Sequence, residues 1–181
     1  MKIRMLFSAL FLTAATGLVQ AGEYSVSGVH NCCGACAKGI TEALSKVEGV
    51  TEINAKAKET KISFTAPDDM TARKAIGALG RAGFHGTVTG GKVKYRDNSG
   101  VEAGKVKSLE LVGTHNCCPG CANAIKDILA KVEGVENHTL DKNSVKLEGD
   151  FDGLAVVKAL NEGGFHVRKK GAAAGTKKKD Q

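Results

Sequence analysis

Residues 28–50 and 113–135 are two versions of one segment: fourteen of their twenty-three positions are identical at a spacing of 85 residues. The likeness continues downstream, where Gly83-Phe84-His85 returns as Gly164-Phe165-His166 at a spacing of 81. One duplication, with four residues lost from the second copy, predicts two independent domains in tandem and not a solenoid, which needs three or more units. The polar turns near Ala57–Thr60 and Ala66–Asp69 are where the first copy carries its extra length.

Within each copy the hydrophobic period changes in the same order. Tyr24, Val26 and Gly28 alternate with serines, as do Leu109, Leu111 and Gly113 with Ser108, Glu110 and Val112, the pattern of a half-buried strand. Ala37, Ile40, Leu44 and Val47 then recur at helical spacing, matched by Ala122, Ile125, Leu129 and Val132. Lys46 and Lys131 suit the negative end of that helix, and Gly49 and Gly134 are expected to stop it. A strand pair follows (Val50 and Ile53, then Ile62 and Phe64; Val135, then Val145 and Leu147). A second helix carries Ala72, Ala75, Ile76 and Leu79, or Val156, Val157 and Leu160, and ends at Gly83 or Gly164; a short last strand holds Val88 or Val167. The order predicts an α+β fold, two tandem ferredoxin-like βαββαβ domains, each an antiparallel sheet with two helices on one face. The expected divisions are a signal peptide over 1–21, domains over 22–89 and 106–169, a Gly- and charge-rich linker over 90–105, and a disordered basic tail over 170–181. Val93 and Tyr95 are expected to extend the last strand of the first domain.

The same seven-residue cluster sits between the first strand and first helix of both copies. His30-Asn31-Cys32-Cys33-Gly34-Ala35-Cys36 and His115-Asn116-Cys117-Cys118-Pro119-Gly120-Cys121 together hold all six cysteines of the chain. A C-x-x-C pair, Cys33/Cys36 or Cys118/Cys121, lets two sulfurs converge on one ion or bond to each other. Placed at a helix start, it meets unpaired N–H groups that favour thiolate over thiol. Three cysteines crowded in each cluster suit metal or redox chemistry better than disulfide stapling, which ties distant segments together. Soft sulfur selects Cu(I), which two thiolates bind near-linearly, or Zn(II), Cd(II) or Hg(II). Cys32 and Cys117 offer a third sulfur and His30 and His115 a nitrogen, completing Cys3His. His85 and His166 offer an extra ligand or an outer donor, while Phe84 and Phe165 are expected to shield the site.

Lys2 and Arg4, the apolar run Met5 to Val19 and the small-residue site Val19-Gln20-Ala21 read as a secretory signal; the run is short of the roughly 20 residues a spanning helix requires. This implies a periplasmic or secreted protein with no stable membrane insertion after cleavage. The formal net charge of +7 includes the tail lysines 177–179. No interleaved aromatic and basic surface of the kind that binds single-stranded nucleic acid is present, and no nucleic-acid partner is expected.

These motifs resemble the heavy-metal-associated domain, a family that includes copper chaperones, the N-terminal modules of metal-transporting ATPases and the periplasmic mercury-binding protein. Val47-Glu48-Gly49-Val50 and Val132-Glu133-Gly134-Val135 match its V-x-G-V phrase, and Gly83-Phe84 and Gly164-Phe165 match the end of its A-G-[YF] phrase. The resemblance spans residues 23–89 and 106–169. It implies a non-enzymatic carrier, chaperone or buffer that passes a soft metal ion to or from a donor or acceptor protein by thiolate exchange. The family's G-M-x-C-x-x-C differs here: Asn31 and Asn116 stand where it has methionine, a residue that packs into the core and holds the loop, and Cys32 and Cys117 are additional. A thiol–disulfide redox protein and an interaction module with a non-metal site are the alternatives.

Overall fold

The structure, a computed structural model, describes residues 21–96 and 98–172. The expected signal segment up to Gln20 and the basic tail from Ala173 lie outside the described residues. No helix among the described residues is long and apolar enough to cross a membrane.

Each repeat folds as strand, helix, strand, strand, helix, strand. The first comprises β1 (Gly22–Ser27), α1 (Gly34–Ser45), β2 (Thr51–Asn54), β3 (Lys61–Ala66), α2 (Asp69–Arg81) and β4 (Thr87–Thr89). The second comprises β5 (Lys105–Val112), α3 (Pro119–Leu129), β6 (Val135–Leu140), β7 (Ser144–Asp152), α4 (Gly153–Glu162) and β8 (Arg168–Lys169). The sheets are antiparallel in the orders β2-β3-β1-β4 and β6-β7-β5-β8. This is the ferredoxin-like arrangement the periodicities predict. The strand alternation places Tyr24 and Val26, and Leu109 and Leu111, in the core against Ile40, Leu44 and Leu79, and Ile125, Leu129 and Leu160. The second copy is shorter in the β6–β7 turn, and β7 leads straight into α4.

Two sequence expectations shift. Helices α1 and α3 end at Ser45 and Leu129, before the glycines expected to stop them. Gly49 and Gly134 instead take positive φ (85° and 83°) in the turns that lead into β2 and β6. Val93 and Tyr95 do not extend β4. The chain there lies against the first domain: Lys92 donates its N–H to Asp69 Oδ2 at 3.0 Å, Arg73 Nη2 reaches Lys92 O at 2.9 Å, and Val93 is buried. Tyr95 turns its ring onto His85 at a centroid distance of 4.3 Å.

The domains are not independent, as the repeat suggests, but pack on one another about an approximate two-fold relation. Their buried apolar residues form one continuous cluster. At the seam the Gly-Phe-His phrases run antiparallel, with Phe84 bridged to Phe165. The His85 N–H donates to Gly164 O and the His166 N–H to Gly83 O, both at 2.9 Å. Gly83 and Gly164 serve two purposes. Each takes positive φ (89° and 86°) just beyond its helix, where Phe84 N–H closes onto Leu79 O at 3.0 Å and Phe165 N–H onto Leu160 O at 2.9 Å. Each also lies so close to the other domain that a Cβ there would overlap backbone, at Gly113 and His115 for Gly83 and at Gly28 and His30 for Gly164.

Candidate metal centre

Cys33 and Cys118 occupy the N-cap positions of α1 and α3 in extended conformation (φ −152° and −155°), leaving Cys36 and Cys121 one turn into the helices and buried. This follows from the C-x-x-C spacing: the cap sulfur and the sulfur three residues later share one face at the helix mouth. The separations are 3.7 Å for Cys33–Cys36 and 3.6 Å for Cys118–Cys121.

The two mouths face each other. Cys36 Sγ lies 3.7 Å from Cys121 and 3.6 Å from Cys117; Cys32 Sγ lies 3.6 Å from Cys118, 3.8 Å from Cys121 and 3.7 Å from Cys36. Cys33 lies 3.8 Å from Cys118, and Cys117 lies 3.7 Å from Cys121. All six cysteines are free thiols, gathered into one sulfur cluster to which each domain contributes three. Neighbouring Cys32 and Cys33 both reach it because the loop before α1 is irregular; on a strand they would point to opposite faces.

The histidines of the motif complete the wall. His30 stacks on Phe165 (ring centroids 4.3 Å apart) and His115 packs on Phe84 (4.2 Å), so each ring is held by the other domain's phenylalanine. The Nε2 atoms of both histidines are buried without a hydrogen-bond partner. Donor atoms of Cys36, His115, Cys117 and Cys121 all lie within 4.8 Å of one another, as do those of His30, Cys32 and Cys121, and those of Cys32, Cys33 and Cys118. Imidazole rings with a buried nitrogen lacking a partner and a donor atom within 4.8 Å of soft sulfur are a donor set that fits a thiophilic ion.

The thiols are electrostatically unequal. Backbone N–H groups at the head of α1, chiefly that of Cys36, hold the Cys33 thiol below its ordinary pKa, and the Cys121 N–H does the same for Cys118. Desolvation and then the crowd of neighbouring thiols push Cys32 and Cys117 up. Burial lowers the pKa of His30, and burial followed by the nearby His30 lowers that of His115 to about 4, so both rings are neutral and ligand-ready at neutral pH.

Asn31 replaces the methionine anchor with hydrogen bonds. Its buried Nδ2 donates to Lys56 O at 2.7 Å and Glu59 O at 3.0 Å, and its own carbonyl accepts from Lys58 N–H at 2.7 Å, tying the loop to the β2–β3 turn. Asn116 Nδ2 donates to Asp141 O at 3.0 Å in the second domain. Replacing Asn31 with Ala removes two hydrogen bonds worth about 0.5–1.5 kcal/mol each, a cost of about 1–3 kcal/mol in all. Denaturant unfolding measures this, and a change within error would show that the turn is held by other means.

His85 and His166 do not join the sulfur cluster. They stack on each other across the seam with Nδ1 atoms 3.1 Å apart, and His166 Nε2 lies 2.9 Å from Asn98 Oδ1. A cleft of about 760 Å3 opens beside them, lined by Tyr95, Arg96, Asn98 and Asn161 among others; no sulfur lines it. Burial, then the neighbouring His166, lowers the His85 pKa from 6.5 to about 4. Between those values the unfolded chain takes up a proton that the folded chain refuses. The stability tied to His85 is therefore complete above pH 6.5 and is lost as pH falls toward 4. The apo protein's thermal midpoint is expected to drop across that window, and His85→Asn to flatten the drop; an unchanged slope in the variant would contradict this role.

With this geometry in place, the sequence can be set beside known families. Residues 23–85 match the heavy-metal-associated domain. The match covers the first domain from β1 through His85, and the second domain repeats the same element order and site spacing. No curated protein matches the sequence. Among solved structures, the N-terminal soluble domains of Bacillus subtilis CopA align with 21% identity and a TM-score of 0.33, over 84% of this chain and 95% of that one.

No local pattern in the sequence places the two clusters in one site, or Phe84 and Phe165 over the opposite domain's histidines. The identical His-Asn-Cys-Cys start and the paired Gly-Phe-His phrases were the available signal, since a repeated surface can pack on itself about a two-fold axis.

Proposed function

We propose that this chain is an exported carrier or buffer of a soft metal ion, Cu(I) foremost, with Zn(II) or Hg(II) as further candidates. The observation that carries the reading is the meeting of six free thiols and two unpartnered buried imidazole nitrogens. Cys33 and Cys118, less enclosed than Cys36 and Cys121 and biased toward thiolate, are the sulfurs that first meet an incoming ion or a partner's thiols. Transfer then proceeds by exchange: a donor's sulfur–metal bond is replaced by one to Cys33 or Cys118, and the thiol proton leaves to solvent. The metal keeps its oxidation state and no catalysis is involved. The donor or acceptor is a protein presenting thiolates of its own. Residues 1–21 act as a signal peptide, placing the chain in the periplasm or outside the cell.

Three measurements test this reading. Anaerobic competition against a Cu(I) chelator is expected to show tight binding by the reduced chain and none by a variant with all six cysteines changed to Ser; equal binding by both would refute the thiolate assignment. N-terminal sequencing of the exported protein is expected to begin at Gly22, and retention of residue 1 in the cytoplasm would refute export. Against the redox alternative, turnover of a disulfide substrate by metal-free protein is expected to be negligible.

A further inference from the structure

A site confined to one C-x-x-C pair makes a geometric demand that these sulfurs do not meet. Two thiolates holding an ion linearly stand about 4.6 Å apart, twice a metal–sulfur bond of about 2.3 Å, whereas the edge of a tetrahedral site is about 3.8 Å. The C-x-x-C pairs, at 3.7 and 3.6 Å, fall short of the linear span, while the separations of Cys36 and Cys121 from each other and from Cys32 and Cys117, 3.6–3.8 Å, match tetrahedral edges. The sulfurs also fall into an order. Cys36 and Cys121, fully buried and 3.7 Å apart, form the middle. On one side stand Cys117, at 3.6 and 3.7 Å from them, and His115. On the other stand Cys32, at 3.7 and 3.8 Å, and His30, whose donor atom groups with those of Cys32 and Cys121 but not with that of Cys36. The two-fold relation of the repeats exchanges one side for the other.

Resting on the soft-metal reading above, we propose that the two domains build a single dinuclear centre in which the Cys36 and Cys121 thiolates bridge two soft ions, one completed by Cys117 and His115, the other by Cys32 and His30. Each domain on its own holds only part of either ligand set. Loading releases one proton from each of the four thiols, whose sulfur lone pairs form the metal bonds; a bridging sulfur uses two. No electron is transferred. Cys33 and Cys118, 3.8 Å apart at the helix mouths, stay outside the centre as the exchange pair.

The full reduced chain, titrated anaerobically with Cu(I) and followed by native mass spectrometry, is expected to pass from the metal-free form to a two-ion form with little one-ion species. Copper K-edge absorption of the two-ion form should contain a copper–copper contribution. Cys36→Ser removes a bridge and is expected to weaken both ions, by about 100-fold or more. Cys117→Ser removes one terminal ligand and should weaken one ion only. If Cys36→Ser retains one ion at wild-type affinity, or if the copper–copper contribution is absent, the shared centre is wrong and the domains bind separately. Uptake of four ions with no plateau at two would equally overturn it. Should Cys36→Ser fail to fold, the absorption spectrum and the Cys117→Ser stoichiometry decide. Failure of the wild-type chain to bind Cu(I) at all would instead refute the soft-metal function.

Discussion

Substituting Gly164 with Ala is expected to separate the two domains and disperse the sulfur cluster without touching a cysteine. Two costs coincide at this position. The left-handed backbone at φ 86° disfavours any L side chain by about 1–2 kcal/mol. The added methyl then meets the Gly28 carbonyl and the His30 N–H of the other domain, rigid backbone groups that have nowhere to move. Relief requires the seam to open, which breaks the His85 N–H to Gly164 O bond and lifts Phe165 from His30. Gly49→Ala is the matched control: its φ is 85°, but its Cβ would meet only side-chain atoms of Pro67 and Thr71 at ordinary contact distance. Small-angle scattering should report a larger radius of gyration for Gly164→Ala and an unchanged one for Gly49→Ala, with the two similar in local helix stability. Cross-linking between Cys32 and Cys118 by a short bifunctional thiol reagent should fall in the first variant only. Equal behaviour of the two would mean that the glycine serves its helix end and nothing across the seam.

The second large effect is stabilisation by the metal itself. An ion held by the folded chain alone stabilises it by about 4.1 kcal/mol at a free concentration a thousand times its dissociation constant. For a chain of this size each kcal/mol raises the thermal midpoint by roughly 2–4 °C, so a rise on the order of 10 °C is expected on loading with Cu(I). The form of the transition is more informative than its midpoint. Donor atoms from both domains lie within 4.8 Å of one another, so an ion held by both leaves neither domain free to unfold while the other keeps it. The loaded chain should therefore melt in one cooperative step, followed equally by helix signal and metal release. Metal-free protein has only the seam to couple its domains and should melt over a broader range. Two separate transitions in the loaded protein, each releasing its own ion, would place the metal within single domains.

Much of the fold was legible because hydrophobic period and glycine placement act locally. Val26 and Leu111 face inward by alternation; Ile40 and Ile125 do so by helical spacing; the C-x-x-C pair puts Cys36 and Cys121 inside because they fall one turn into their helices. What escaped was long-range. Asn31 reads as a departure from a methionine anchor until the β2–β3 turn is seen to bring Lys56 and Glu59 carbonyls to its amide. His85 and His166 look like ligands because they repeat beside the Gly-Phe phrase, yet they meet each other instead. The repetition signals a shared surface as readily as a shared chemistry, and no local pattern separates the two. Tyr95 alternates with lysines as an edge strand would, but burying its ring against His85 outweighs a few ladder hydrogen bonds at a sheet edge.

The most direct measurement follows the accessibility of individual thiols during metal uptake. Reduced chain is loaded stepwise with Cu(I) under anaerobic conditions, pulsed with an alkylating reagent, and each cysteine is quantified by peptide mass spectrometry. Thiolates of both domains gathering on common ions predicts that Cys32 and Cys117, one from each domain and both accessible, lose reactivity together with the first equivalents added, while Cys33 and Cys118 remain the most reactive. Protection of one domain's cysteines at the first equivalent and the other's at the second, or no protection at saturation, would contradict the account.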